Sequence, residues 1–232
     1  MVIGKKARLV VTLSILTTIG SLAYLYSDYR DNHPSYGNIP AHLQEFLRAV
    51  ATGDISSADR LVKQDPDLLT AVWGPYGSAL HLAASRNQPR MIEFLLDQGA
   101  DINARGQWGG TPLHWACWLG SKDSAAVLIN HGASVELRCM AFRSTPLLWC
   151  AHGSRNVSTP GADYVGTAKM LLENGADPDT TNNVGANALS MAAPAVAELM
   201  REYGAHDLPP ATAPATQPAD PGDDTRPTAD AG

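Results

Sequence analysis

Two histidines and two cysteines have the residue types and the spacing of a chemical site. His114 and Cys117 lie three residues apart and would share one face of a helix, and Cys150 and His152 lie close together in a later segment. Imidazole and thiolate groups bind zinc, and a cysteine activated by a histidine is a common nucleophile. With Asp163 as a third group, the second pair suggests a small-ligand or enzymatic site as an alternative function.

The segments that carry these residues repeat along the chain. One motif reads SALH, TPLH, TPLL and NALS, and its copies begin at residues 78, 111, 145 and 187. A Gly-Ala pair follows each copy, at residues 99, 132, 175 and 204. Self-similarity at this period predicts stacked supersecondary units, and such a stack usually serves as a surface that holds another molecule.

The best-formed copy predicts a pair of short helices. Thr111 is a suitable N-cap, and Pro112 occupies the first helical position, where its missing N–H is not needed. A second helix is predicted over Ser124–Asn130, and Gly132 ends it because a helix often closes on a residue with positive φ. Helices this short cannot bury enough apolar surface alone, so neighbouring units must stack.

The run from Thr111 to Ala116, followed by Gly132 and Ala133, resembles the ankyrin repeat, whose signature is Thr-Pro-Leu-His-x-Ala and a later Gly-Ala-Asp. The resemblance covers residues 41–206 and implies an all-α ankyrin solenoid of about five helix-turn-helix units joined by β-hairpin-like loops. The outer two units are degenerate, as expected for capping units. The expected units are 41–73, 74–106, 107–139, 140–182 and 183–206.

The resemblance implies a protein–protein interaction module rather than an enzyme. In this family the motif histidine bonds to backbone and to the Thr hydroxyl, so we expect a structural His114, with no catalytic residue, metal or cofactor. Residues 41–206 hold 12 basic and 16 acidic side chains, a net charge of −4, and we see no basic stripe. This charge balance argues against a nucleic-acid partner.

The resemblance also places the partner contacts at the hairpin tips and at the exposed end of each first helix. Trp115 and Trp149 match a more buried position and are expected in the core. Large apolar rings at Trp108 and Trp118 would be costly in water unless a partner covers them or they fold back on neighbouring hairpins. The matched partner-binding residues are Gln107, Trp108, Trp118, Leu119, Met140, Phe142, Arg143, His152 and Arg86.

The third full unit is longer than the others. From Leu147 to Gly175 the chain advances 28 residues, against 19 in the two preceding units, and the additional residues fall within 152–166. We expect a loop there that borders a pocket beside Trp118, where the alternative ligand or enzymatic site would lie.

The three cysteines are not expected to pair. A Cys117–Cys150 disulfide is doubtful, because packed helices lie about 8–10 Å apart and a disulfide needs Cα atoms within about 7 Å. Cys139 falls in a connecting segment, where it is expected to be reactive or simply exposed.

The chain outside the repeats has two further segments. Lys5, Lys6 and Arg8 precede eighteen uncharged, mostly apolar residues, 9–26, which as a helix would reach about 27 Å, close to a bilayer core. We expect a membrane anchor that leaves the ankyrin domain extracytoplasmic (periplasmic), in a bacterial-type, exported protein. The alternative is a cleaved signal peptide and a secreted, soluble domain.

The predicted organisation is therefore a signal-anchor or signal peptide over residues 1–26, a linker over 27–40, the repeats, and a tail over 207–232. The tail is rich in Pro, Ala and Asp and has almost no large apolar side chain, so we expect it to be disordered. The alternative is that it serves as a Pro-rich or acidic docking peptide.

Overall fold

The computed structural model describes residues 40–72 and 77–207, which form five successive helix pairs. No β-strand occurs in these ranges, where one isolated bridge joins Thr181 to Asn187. The described residues therefore confirm the all-helical repeat of five units. The helices are α1 Ala41–Thr52, α2 Ile55–Gln64, α3 Ala79–Ser85, α4 Pro89–Asp97, α5 Pro112–Trp118, α6 Lys122–Asn130, α7 Pro146–Asn156, α8 Tyr164–Glu173, α9 Ala188–Met191 and α10 Pro194–Glu202.

The pairs stack in two layers. The first helices of the pairs (the inner helices α1, α3, α5, α7 and α9) pack each on the next, and the second helices (the outer helices) pack on one another from α4 to α10. Leu80, Leu113 and Leu147, one from each full unit, are completely buried between them. The hydrophobic core is thus a continuous row of equivalent leucines rather than a single central cluster.

Hairpin loops project from the start of the inner helices. Each is closed by a backbone hydrogen bond of 2.9 Å, from Gly106 N to Gly110 O, from Cys139 N to Ser144 O, and from Asn182 N to Ala186 O. The tips are also joined to each other, because Ala141 N donates to Trp108 O and Asn183 N donates to Phe142 O, both at 3.0 Å. The loops therefore form one connected edge along the stack.

The motif histidine ties the second unit to the third and the third unit to the fourth. His114 Nδ1 accepts from Thr111 N at 3.1 Å and lies 2.8 Å from the Thr111 hydroxyl, while Nε2 lies 3.0 Å from the carbonyl oxygen of Ser144 in the following unit. His81 makes the same contacts with Ser78 and with the Gly110 carbonyl. A carbonyl can only accept, so Nε2 carries the proton of a neutral imidazole. The expectation of a structural His114 agrees with this geometry.

The histidine link ends at the fourth unit. Leu148 replaces the histidine there, and the buried Thr145 hydroxyl has no hydrogen-bond partner among the described residues. In the fifth unit Asn187 caps the first helix by accepting from Ser190 N at 3.0 Å. The join between the last two units therefore lacks the buried imidazole contact that His81 and His114 make in the middle of the stack.

Two arginines supply a second link that the sequence analysis did not identify. The Arg105 guanidinium donates to Gly109 O at 2.7 Å, within its own hairpin, and to Arg138 O at 2.6 Å in the next unit. Arg138, one repeat later, donates in the same way to Arg143 O and Thr181 O, both at 2.8 Å. The two arginines lie 33 residues apart, which matches the repeat period, and this spacing could have indicated the link.

No helix within residues 40–72 and 77–207 is long and apolar enough to cross a membrane. The predicted anchor at residues 9–26 lies outside the described residues, as do nearly all of the linker and the segment 208–232.

The buried histidines make stability depend on pH. Burial lowers the pKa of both His81 and His114 from 6.5 to about 4, so between these values the unfolded chain binds more protons than the folded chain. Their contribution is complete above pH 6.5 and is lost as the pH falls toward 4. We expect the free energy of unfolding, measured by urea denaturation, to fall by about 1.4 kcal/mol per pH unit for each histidine in this window. Equal stability at pH 7 and pH 4.5 would contradict this, and the exposed His131→Gln variant should follow wild type.

Candidate protein-binding surface

A cluster of aromatic rings covers the inner helices of the third and fourth units. Trp115 of α5 and Trp149 of α7 are each 6% exposed and meet edge to face, with ring centroids 5.7 Å apart. Each lies three residues before another ring on the same helix, Trp118 and His152, so all four project from one face of the stack. The prediction that Trp115 and Trp149 belong to the core is confirmed.

Trp108 and Trp118 fold onto this core instead of standing free in water. The Trp108 ring stacks on Trp115 with centroids 5.9 Å apart, and the Trp118 ring meets the edge of Trp149 at 5.7 Å. Trp118 also stacks on His152, at 4.9 Å and an interplanar angle of 17°. Both tryptophans remain partly exposed, so of the two sequence expectations, folding back is the one that the structure shows. Their exposed faces are preorganised by the buried pair beneath them.

Trp108 is held in an unusual backbone conformation. Its φ of 61° lies in the left-handed region, which is unfavourable for a large side chain without a compensating contact. Stacking on Trp115 and the hydrogen bond from Ala141 N to its carbonyl provide that compensation. Gly109 also has positive φ, and Met140 packs so closely against it that a side chain there would collide. The conformation places the indole over the inner helices.

Apolar side chains stand exposed at the hairpin tips beside the tryptophans. Met140 is 73% exposed and Phe142 45% exposed, and Val184 at the next tip is 72% exposed. Phe142 and Val184 belong to tips that are joined through the Phe142 carbonyl and the Asn183 amide. The sequence analysis selected Met140 and Phe142 and missed Val184, although it occupies the tip of a loop that the repeat period places in line with them.

The other residues that were predicted to contact a partner lie at several different places on the hairpins and inner helices. Arg143 is exposed with a φ of 50°. Leu119 is partly buried at the end of α5, and His152 is partly buried within α7. Gln107 adjoins Trp108 in a short 3-10 helix, Gln107–Gly109. Arg86 is exposed at the end of α3, one unit away from the tryptophans.

The charges on this face have one sign. The hairpins and inner helices after the first unit, residues 78–87, 104–119, 137–156 and 180–192, hold no Asp, Glu or Lys. All twelve carboxylate side chains between residues 78 and 207 fall in the outer helices and the segments that flank them. The net charge of the repeats does not reveal this separation of the charges. The five cations on the face are Arg86, Arg105, Arg138, Arg143 and Arg155.

The lengthened unit forms a shorter loop than expected, over residues 157–163. Part of the additional chain extends α7 to 11 residues, against 7 in α5. The remainder packs on the preceding unit, because Asp163 N donates to Gly120 O at 2.9 Å and the Tyr164 hydroxyl donates to Trp118 O at 3.2 Å. A Lys122–Asp163 ion pair of 3.0 Å adds to the same contact. The insertion therefore braces the end of α5 and the tryptophan that it carries.

The alternative enzymatic site lacks an activated nucleophile. Cys150 is fully buried, its thiol donates to Tyr164 O at 3.5 Å, and burial raises its pKa well above the usual range. Burial lowers the pKa of His152, and the hydrogen bond from Gly166 N lowers that of Asp163. A cysteine nucleophile must reach the thiolate form, which this environment opposes. No group of three His, Cys, Asp or Glu suited to a metal occurs among the described residues.

All three cysteines are free and buried. Cys139 is 1% exposed and packs with Trp115 and Trp149, so the expectation of an exposed or reactive thiol was wrong. Its loop turns inward at that point to close the hairpin through Cys139 N and Ser144 O.

Comparison with known proteins identifies the repeat and several distant relatives. A family model described as ankyrin repeats in three copies matches residues 46–139, and a single ankyrin-repeat model matches residues 143–183. Human protein phosphatase 1 regulatory subunit 27 is 34% identical over 88 residues, 38% of this chain and 57% of the relative. NF-kappa-B inhibitor alpha of Sus scrofa is 31% identical over 118 residues, 51% of this chain and 36% of the relative.

A probable E3 ubiquitin-protein ligase, XBOS33 of Oryza sativa subsp. japonica, is 31% identical over 136 residues, 57% of this chain and 26% of the relative. The chain thus spans between 26% and 57% of the length of these three relatives.

We expect the buried rings of this surface to stabilise the fold, and the exposed rings to contribute little to stability. Replacing Trp149, which contacts Trp108, Trp115 and Trp118, with Ala should lower the free energy of unfolding by about 3–5 kcal/mol. Phe142→Ala, at an exposed tip, should change it by no more than about 0.5 kcal/mol. Chemical denaturation followed by circular dichroism measures both. Equal losses in the two variants would refute this division.

Proposed function

We propose that this chain, which belongs to the ankyrin-repeat family, is a protein–protein interaction module that binds its partner on the concave face formed by the hairpin tips and inner helices. The observation that carries the proposal is the exposed apolar edge of Met140, Phe142 and Val184 beside the partly exposed Trp108 and Trp118. Apolar side chains grouped in this way on a soluble repeat are typical of an interface.

The composition of the face agrees with a docking role. Tryptophan and arginine are the residues most often found as interface anchors, and both are present here without any carboxylate. The rings are already fixed by stacking and the hairpins by hydrogen bonds, so binding would immobilise few side chains. The names of two relatives, a phosphatase regulatory subunit and an NF-kappa-B inhibitor, also describe action on another protein.

The binding role can be tested with a tip variant. A partner captured by affinity purification should bind the Met140→Ser/Phe142→Ser double variant at least about tenfold more weakly than wild type, because truncating buried interface anchors commonly costs more than about 1.4 kcal/mol. The melting temperature should not change. Val165→Ser, which removes an exposed apolar side chain from α8 on the outer layer, is the matched control and should bind normally. Unchanged affinity of the tip variant would refute docking on this face.

We further propose that residues 9–26 anchor the protein in a membrane with the repeats on the extracytoplasmic side. The support is the uncharged, mostly apolar stretch of eighteen residues and the preceding Lys5, Lys6 and Arg8, which favour retention of that end in the cytoplasm. The alternative is that the same segment is cleaved as a signal peptide.

Protease accessibility distinguishes these possibilities. Protease added to intact spheroplasts should digest the repeats, while without protease the full chain should stay in the membrane pellet. Recovery of a soluble chain that begins near Tyr24 would establish cleavage instead, and protection of the repeats in intact spheroplasts would refute export.

A further inference from the structure

The chemistry of the concave face specifies more than a generic protein partner. Its cations are all arginines, and two of them, Arg105 and Arg138, are fixed by hydrogen bonds to backbone carbonyls. Arg143 and Arg155 remain exposed on either side of the tryptophans, one at a hairpin tip and one on α7. Flat aromatic rings flanked by cations, with no anion among them, suit an extended acidic segment that contains proline.

The same chain contains a segment with this chemistry. Residues 208–232 include six prolines and four aspartates, with a single arginine as the only basic side chain. Proline favours the extended polyproline II conformation, whose rings dock into aromatic-lined grooves at a small entropic cost. The net charge of −3 over this segment is opposite in sign to that of the face.

The fold directs this segment toward the hairpin side. His206 Nδ1 lies 2.7 Å from Asp179 Oδ2, and the His206 carbonyl accepts from Asn187 Nδ2 at 3.0 Å. Asp179 and Asn187 are the residues at the two ends of the last hairpin, so the chain leaves the final unit beside that hairpin's base. The tryptophan cluster, which spans the third and fourth units, lies one to two units away along the stack.

The segment is long enough to reach the cluster. Neighbouring helices lie about 8–10 Å apart, so two units span about 20 Å. An extended polyproline II chain advances about 3.1 Å per residue and covers this distance in about seven residues. The remaining residues of the segment, with all four aspartates, can then lie along the face beside Arg143 and Arg155.

We propose that residues 208–232 bind intramolecularly on the concave face, with prolines against Trp108 and Trp118 and aspartates beside Arg143 and Arg155. This inference rests on the proposed function in taking the same face as the docking surface. It adds a regulatory consequence, because a tethered segment competes with any partner at an effective concentration of about 1 mM. A partner must displace the segment, so its apparent affinity is reduced.

The test uses the full-length chain, purified in mild detergent, and a tail variant. The variant carries Asp→Asn at 220, 223, 224 and 230 and Pro→Ser at 209, 210, 214, 218 and 221, and its control carries only Thr212→Ser and Thr216→Ser. Acrylamide should quench tryptophan fluorescence more strongly in the tail variant than in wild type or the control. A labelled synthetic peptide of residues 208–232 should bind the tail variant about tenfold more tightly than wild type, whose face is occupied.

The site of binding is checked within the tail variant. Adding Arg143→Gln and Arg155→Gln should weaken peptide binding several-fold, whereas Arg90→Gln, on the outer helix α4, should not. Peptide binding that is absent, or equal in wild type and the tail variant, overturns the inference. Quenching differences that depend on protein concentration would assign the face to a second copy, and displacement of the peptide by a random oligonucleotide of equal charge would assign it to nucleic acid. Either result overturns the intramolecular proposal.

Failure of this inference can be told apart from failure of the proposed function. If the peptide does not bind but a captured partner still requires Met140 and Phe142, only the intramolecular contact is refuted. If the peptide binds while the tip variant captures its partner normally, the proposed docking function fails and the intramolecular contact stands.

Discussion

The fold depends on contacts between units, because no unit buries a core of its own. The shortest inner helix, α9, has four residues, and even α3 and α5 have only seven. Such segments are not stable alone, so the leucine row and the histidine links between successive units must supply the stability. A neutral imidazole suits this role since it caps its own helix through one nitrogen and donates to the next unit through the other.

The candidate binding surface depends on the same contacts between units. His114 contacts Trp149 edge to face at 5.3 Å, so the residue that joins the third and fourth units also supports the aromatic cluster above that join. The braced insertion holds the end of α5, where Trp118 lies. The proposed docking surface and the stacking interface are therefore built from one set of rings, whose buried members stabilise the fold and whose partly exposed members form the proposed contact.

The structural features that follow from the repeat period could be predicted from the sequence. The five helix pairs, the core positions of Trp115 and Trp149 and the structural histidine all follow from motifs at a regular spacing. The sequence did not predict contacts between residues of different units that belong to neither motif, such as Arg105 with the Arg138 carbonyl. The last turn of helix α7 was also missed, because Ser154 and Asn156 read as loop residues, yet their side chains bond to Ala151 O and His152 O within the helix. The net charge of the repeats did not reveal that arginines lie on the hairpins and inner helices and carboxylates on the outer layer. This separation appears only after each residue is assigned to its layer.

The loss of the histidine link at Leu148 has a consequence for how the molecule opens. In a linear array, each unit is stabilised only by its neighbours, so the cost of detaching an end unit equals its own stability plus one interface. The last unit combines the shortest inner helix with an interface that has no buried imidazole, as is also true of the interface between the first two units. Partial unfolding that begins with the last unit therefore costs less free energy than unfolding that must break a join made by His81 or His114. The imidazole joins therefore connect the second, third and fourth units, beside the tryptophan cluster, and neither end unit has one.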